Sequence, residues 1–210
     1  MNIAVVAANG RSGKAFVTLA LAAGHSVRAG VYKSNNLAAH PNLVIVPCDA
    51  TNKSDLAKLI KGQDAVVSFI GHVKDSPAQV QTNSMRVLAA IMKEQNITRL
   101  VSLTGTGVRF PGDKITLMDR VLNLSIGIID PARIKDGKDH VAFLQQTDLD
   151  WTIIRVLKLQ NVNAKPYTLK QNGPTKIYVG RDEVARAVLE VLEQNTFVCQ
   201  APIISPADKN

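Results

Sequence analysis

The residues best suited to chemistry lie near the start of the chain. The apolar run Asn2 to Ala7 ends in Ala7-Ala8-Asn9-Gly10-Arg11-Ser12-Gly13, and an apolar helical pattern, Ala15-Phe16-Val17-Thr18-Leu19-Ala20, follows at once. This is a Gly-x-x-Gly-x-x-Gly type of turn with Ala7 in the first glycine position. Gly10 has no Cβ to hold a pyrophosphate away from the backbone, and Gly13 lets the helix lie close to the strand. The helix N-terminus adds N–H groups and the positive end of its dipole. A turn that only joined strand to helix would not need polar Asn9 and Ser12 where phosphate oxygens would lie. The expected ligand is a dinucleotide.

The end of the second strand bears on which dinucleotide. An acid there accepts from the ribose 2'-OH of NAD, whereas NADP needs cations for its 2'-phosphate. The chain reads Val31-Tyr32-Lys33-Ser34-Asn35-Asn36, without an acid. Lys33, Arg11 across the first loop and the Ser34 hydroxyl would surround a phosphate, and Tyr32 would flank the adenine. NADP(H) is therefore expected in preference to NAD(H).

These groups must be held by a recurring scaffold. Apolar strand patterns fall at Asn2 to Ala7, Ser26 to Val31, Leu43 to Val46, Ala65 to Ile70, Leu100 to Thr104 and Trp151 to Val156. Helical patterns separate them at Ser12 to Ala23, Ser54 to Lys61, Ala78 to Gln95 and Lys138 to Gln146. Strands apolar throughout and alternating with helices are the signature of a parallel sheet covered on both faces. The fold class expected is α/β, a doubly wound Rossmann sheet with a small C-terminal substrate-pocket region, in one domain over residues 1–210. Gly24 suits a left-handed helix end, and Thr51 or Asn52 suits the next helix start. Residues 105–136, weakly helical from Asp113 to Leu124, and residues 157–180 break the rhythm. Both would emerge beyond the carboxyl ends of the strands, where such folds bind ligands, so they are expected to wall the substrate pocket.

Composition narrows the remaining choices. The 210 residues are 46% hydrophobic and 20% charged, a globular balance that needs no disulfide or metal staple. Cys48 and Cys199 have no paired spacing, so no metal site is expected and a reducing, cytoplasmic setting is. No uncharged run reaches the roughly 18 residues of a membrane span, and Met1 leads directly into a strand pattern rather than a signal peptide; no membrane partner is expected. The formal charge of +8 is uneven, with 11 basic and 5 acidic residues over 1–105 against 14 and 12 over 106–210, and Asp49 is the first acid. A nucleic-acid partner ranks last, because the basic residues fall around the cofactor turn and stacking aromatics are scarce.

The chain resembles the atypical short-chain dehydrogenases of the NmrA-like NAD(P)-binding group, in layout similar to NADPH-dependent flavin/biliverdin reductases and bacterial NADH-flavin reductases. The resemblance rests on Ala7 to Gly13, Cys48-Asp49-Ala50, Gly62 to Gly71, Leu100 to Thr104, Leu149-Asp150-Trp151-Thr152-Ile153-Ile154-Arg155 and Gly180-Arg181-Asp182-Glu183-Val184-Ala185. It implies that Asp49, in a cofactor segment with Ala50, bonds the adenine amino group, and that Phe69, Ile70 and Gly71 pass under the adenosine ribose. It further implies that Thr104 lies beside the nicotinamide and that the segment from Val156 to Lys158 runs along its other edge. The chain departs from these relatives at Ala7, at Arg155-Val156 in place of Arg-Pro, and at Gly105 in place of serine.

The acid/base pair of alcohol-oxidising relatives, Tyr-x-x-x-Lys, is absent: Tyr32, Tyr167 and Tyr178 are followed four positions on by Asn36, Gln171 and Asp182. Hydride transfer to a flavin or quinone tolerates that loss, since orientation of two rings carries most of the rate. Candidate proton donors are His72 just past the fourth strand, with an exposed loop histidine as the plainer reading, and Lys158 at the substrate entrance, with a solvated loop lysine as the plainer reading. Lys138 corresponds to the helix that carries the lysine of isoflavone-reductase-like relatives, and Trp151 is read as a core residue. The leading expectation is an NADPH-dependent reductase of small aromatic acceptors, acting as monomer or homodimer. A redox-sensing NADP(H) regulator without turnover is the main rival, followed by a sugar-nucleotide epimerase or dehydratase.

Overall fold

The computed structural model describes residues 1–73, 75–161 and 165–207. The chain begins β1 (Asn2–Val6), α1 (Arg11–Ala22), β2 (Ser26–Val31), β3 (Leu43–Pro47), α2 (Lys53–Ile60), β4 (Ala65–Ser68) and α3 (Val80–Glu94). It continues β5 (Arg99–Gly105), α4 (Leu117–Ile129), α5 (Pro131–Leu144), β6 (Asp150–Val156), β7 (Lys158–Gln160), β8 (Tyr167–Lys170), β9 (Tyr178–Gly180), α6 (Arg181–Glu193) and β10 (Ile203–Pro206). Eight strands form one sheet in the order β3-β2-β1-β4-β5-β6-β10-β8, parallel except where β8 runs against β10; β7 and β9 pair separately. This is the doubly wound Rossmann fold expected.

The sheet divides the core in two. On one side Ile3, Val5 and Val67 meet Phe16, Ala20, Val184 and Val188 of α1 and α6; on the other Ala4, Val66 and Leu100 meet Leu56, Leu88 and Met92 of α2 and α3. Alternate residues of the same strands serve the two layers, which is why the strands are apolar throughout. Trp151 is 4% exposed and belongs to the second layer.

Local signals place several boundaries. Gly24 has φ +85° after α1, and the Asn52 side chain accepts from Asp55 N to start α2. Two expectations shift. The helix read from Lys138 begins seven residues earlier, where Asp130 accepts from Arg133 N and Pro131 takes the first turn. The weak helix of Asp113 to Leu124 is α4, started by Thr116, whose hydroxyl accepts from Asp119 N.

A buried arginine fixes the long connection after β5. Arg155, fully buried on β6, donates to the Ala201 and Val108 carbonyls, to both Asp113 carboxylate oxygens (2.5 and 2.9 Å) and to Gln171 O, and lies over the Phe110 ring. Burial alone would raise the Asp113 pKa, but the bonds from Arg155 and Phe110 N hold it below the ordinary carboxylate value. The loop over residues 105–113 is thereby tied to the sheet from which the ligand cleft opens.

Candidate functional site

Strand order reverses between β1 and β4, and the phosphate turn sits at that switch. Ala7 adopts φ +59°, the left-handed region where relatives of this motif carry glycine. Gly10 is the N-cap of α1 with no side chain closing the helix end, and the first turn holds no acid, so the N-terminal N–H groups are open to an anion. A Cβ on Gly13 would lie 2.5 Å from Ala7 O and 2.7 Å from Ala8 O, so only glycine lets the helix come this near the strand. These features fit a pyrophosphate.

Charge at the turn points the same way. Burial and then the neighbouring Arg11 charge lower the Arg181 pKa, so two guanidinium groups repel one another beside an open helix N-terminus. Arg181 is the first residue of α6 and, with Ser12, lines the larger of the two clefts described below. Sequence reasoning singled out its motif but gave Arg181 no role in the site. Asn9 is placed differently from the expectation of a phosphate contact: its amide donates to Tyr32 O (3.1 Å) and Ser34 O (2.9 Å), clamping the turn to the end of β2.

A first cleft of about 400 Å³ opens beside β2 and β3, lined by Tyr32, Lys33, Cys48, Asp49 and Asp55. Lys33 has φ +64°, and its ammonium lies 5.2 Å from the centre of the Tyr32 ring. Asp49 Oδ1 accepts from the backbone N (2.8 Å) and hydroxyl (2.7 Å) of Thr51. Burial, reinforced by Asp55 and Asp49, pushes the Cys48 thiol up to about 12, which makes it a packing group and not a nucleophile. Ala50 packs against the core and lines neither cleft.

The second cleft, about 520 Å³, lies over the carboxyl ends of β4, β5 and β6. Phe69, Ile70, Gly71 and His72 form one wall, with Phe69 held by the Phe16 ring at 5.6 Å. Thr104 and Gly105 form the floor, and Val156, Leu157, Lys158 and Leu159 the opposite wall. Leu122, Asn123 and Ile126 of α4 and Ile134 and Gly137 of α5 cover it. Both long segments thus border this cleft, although residues 162–164 of the second lie outside the described residues. Lys158 stays exposed with its ammonium 5.2 Å from the Tyr178 ring centre. Lys138 is exposed on α5 and is not among the residues lining the cleft, because Gly137 is the residue turned toward β5.

Two polar groups stand out here. Thr104 is 5% exposed and its Oγ1 has no hydrogen-bond partner among the described residues. A buried hydroxyl without a partner is costly unless a ligand satisfies it. His72 is not the exposed loop residue of the plainer reading: its side chain is 6% exposed and Nε2 lies 2.8 Å from Asp136 Oδ2. Asp136 also accepts from Gln81 N, Thr82 N and the Thr82 hydroxyl. Burial alone would raise its pKa, but these bonds and that from His72 hold it below the ordinary carboxylate value. An ionised carboxylate only accepts, so His72 Nε2 carries the proton between them and Nδ1 remains for other work. Sequence reasoning missed Asp136, which is 64 residues away and carries no local motif.

His140 and Ser102 form a deeper pair at 3.2 Å. His140 is 1% exposed, and burial pushes its pKa down to about 4, so it is a neutral core imidazole.

A doubly wound sheet with an anion-ready turn at its switch and a cleft beyond its strand ends defines a dinucleotide-binding α/β protein. The chain belongs to the NAD(P)H-binding family, whose model matches residues 7–195. This bears out the resemblance to the atypical short-chain dehydrogenases. A short-chain dehydrogenase/reductase from Veillonella parvula, solved in complex with NADP, is 15% identical over 97% of this chain and 94% of its own, with a TM-score of 0.80. A candidate NADH-flavin reductase from Streptococcus pneumoniae is 21% identical over 99% and 100%, TM-score 0.78. A candidate epimerase from Bacteroides thetaiotaomicron is 19% identical over 100% and 98%, TM-score 0.80. At these identities the likeness is one of fold alone.

Proposed function

We propose that the protein is an NADPH-dependent reductase that transfers hydride to a small planar aromatic acceptor, a flavin or quinone, held in the cleft beneath α4 and α5. The observation that carries this reading is the apolar cleft over the ends of β4 to β6 with the partnerless Thr104 hydroxyl in its floor. NADPH, when bound, supplies the hydride; the acceptor takes that hydride and one proton, and NADP⁺ leaves.

The chain's own residues orient and protonate. The open end of α1 with Arg11 and Arg181 would hold the pyrophosphate, and Lys33 beside Tyr32 the 2'-phosphate. Phe69, Leu122 and Ile126 exclude water and stack a flat ring. Thr104 would donate to a carbonyl or carboxamide oxygen at the cleft floor. His72, steadied by Asp136 through Nε2, would relay to the reduced acceptor the one proton it needs, and Lys158 at the rim would attract an acidic acceptor.

The epimerase reading lacks its chemistry, since none of the three tyrosines is among the residues lining the cleft. The test follows NADPH oxidation with flavin, quinone and dye acceptors in wild type and His72→Gln. The reductase reading expects turnover in wild type and about a hundredfold lower kcat in the variant, with NADPH affinity unchanged. Tight NADPH binding without turnover on any acceptor would instead support a redox-sensing regulator, for which loss of the Tyr-Lys pair is no handicap.

A further inference from the structure

Helix α4 turns an apolar stripe outward. Its polar side chains Asp119 and Asn123 point inward, where Asp119 is fully buried and accepts from the Thr106 hydroxyl, the Arg109 guanidinium and the Asn123 amide. Leu117, Met118, Val121, Leu124, Ile128 and Ile129 point outward at 48–82% exposure. These six are the majority of the eleven exposed large hydrophobics among the described residues. Leu117, Val121, Leu124 and Ile128 follow a spacing of four, three and four, the pattern a surface helix ordinarily turns toward the core. A contiguous apolar patch of this kind marks a contact surface.

The charge around the stripe is predominantly positive. Between residues 114 and 138 all five basic residues, Lys114, Arg120, Arg133, Lys135 and Lys138, are exposed. Of the acids from 114 to 139 Asp119 and Asp136 are buried, which leaves Asp130 and Asp139 in ion pairs with Arg133 and Lys135, and a net positive charge from the other three bases. An apolar stripe about 20 Å long with a cationic border matches a helix lying in the surface of an anionic bilayer. A second copy of this chain fits less well. Pairing two such faces would bring two cationic borders together, and six side chains fall short of the roughly 20–30 residues a stable interface takes from each partner.

We propose that the outward face of α4 docks this protein peripherally on an anionic lipid surface. The expectation of no membrane partner rested on the lack of a spanning run, which bears on insertion and not on surface contact. Leu122, Asn123 and Ile126 on the opposite face of α4 line the larger cleft, so docking places that cleft directly behind the lipid-facing helix.

The test is co-sedimentation of the full chain with phosphatidylcholine vesicles and with phosphatidylcholine–phosphatidylglycerol vesicles. Wild type is expected to pellet with the anionic vesicles at least tenfold more than with the neutral ones, and to be released by high salt. Leu124→Glu/Ile128→Glu is expected to lose at least tenfold of that binding while its circular dichroism and NADPH affinity match wild type; should the pair not fold, Ile128→Ser gives the same reading with a smaller loss. Wild type staying in the supernatant, or the variants pelleting as wild type does, overturns the proposal. Light scattering that shows a wild-type dimer converted by the variant to a monomer, without vesicle binding, also overturns it and assigns the face to self-association.

Discussion

Acidification should destabilise this protein well above the carboxylate range, and His140 should be responsible for a definable share. In the folded chain burial holds His140 neutral down to about pH 4, against an ordinary value of 6.5. Between those values the unfolded chain binds a proton that the folded chain refuses, so stability rises with pH across the window and falls as pH is lowered through it. The full difference corresponds to about 3 kcal/mol, of which about 1 is lost near pH 5.5 and most of the remainder near pH 4.5. That is a large part of the 5–15 kcal/mol typical of a domain. Urea unfolding of wild type and His140→Gln at a series of pH values isolates the effect, because other titrating groups are common to both. The variant is less stable at neutral pH, having lost packing, but the gap between the two should narrow steadily as pH falls from 6.5 toward 4. A gap that is the same at every pH would refute the neutral, buried assignment.

Three substitutions test the rest of the reasoning. Gly13→Ala places a Cβ 2.5 Å from a backbone oxygen, so α1 must move; a loss of about 1–3 kcal/mol and at least tenfold weaker NADPH binding are expected by thermal shift and fluorescence titration. Lys33→Ala should weaken NADPH binding about tenfold and leave NADH binding nearly unchanged; equal loss for both would remove Lys33 from any 2'-phosphate site. Asp113→Ala strands the buried Arg155 charge and should cost about 3–5 kcal/mol in urea unfolding, whereas Arg155→Met/Asp113→Leu should recover a large part of that loss.

The sheet was legible because its strands carry their evidence locally. Ile3 to Val6 is apolar without a break, and Gly24 and Asn52 mark helix ends by conformations and hydrogen bonds that involve near neighbours. β10 was not anticipated: four residues that include Pro206 show no period, and they become a strand only by lying between β6 and β8. The cofactor turn could be read since its glycines, strand and helix are contiguous. The other end of the site could not, because His72 and Asp136 meet across 64 residues and Arg11 and Arg181 across 170. Arg155 was visible only as the last residue of the Leu149 to Arg155 run, without a role, although its side chain anchors the loop over the cleft. Apolar period signals burial, which is why α4 could not be foreseen to turn its stripe outward; only its own buried Asp119 reveals its orientation.

The Asn9 clamp has a consequence for how cofactor preference can change. One amide bonds the carbonyls of residues 32 and 34 from within the phosphate turn, so the segment that would read the second ribose and the segment that would grip the phosphates move as one body. Grafting an acidic 33–34 pair from an NAD-using relative would therefore re-aim the turn as well as exchange a charge. A swap of specificity in this scaffold would have to carry residue 9 along with the β2 terminus as a single transplantable unit.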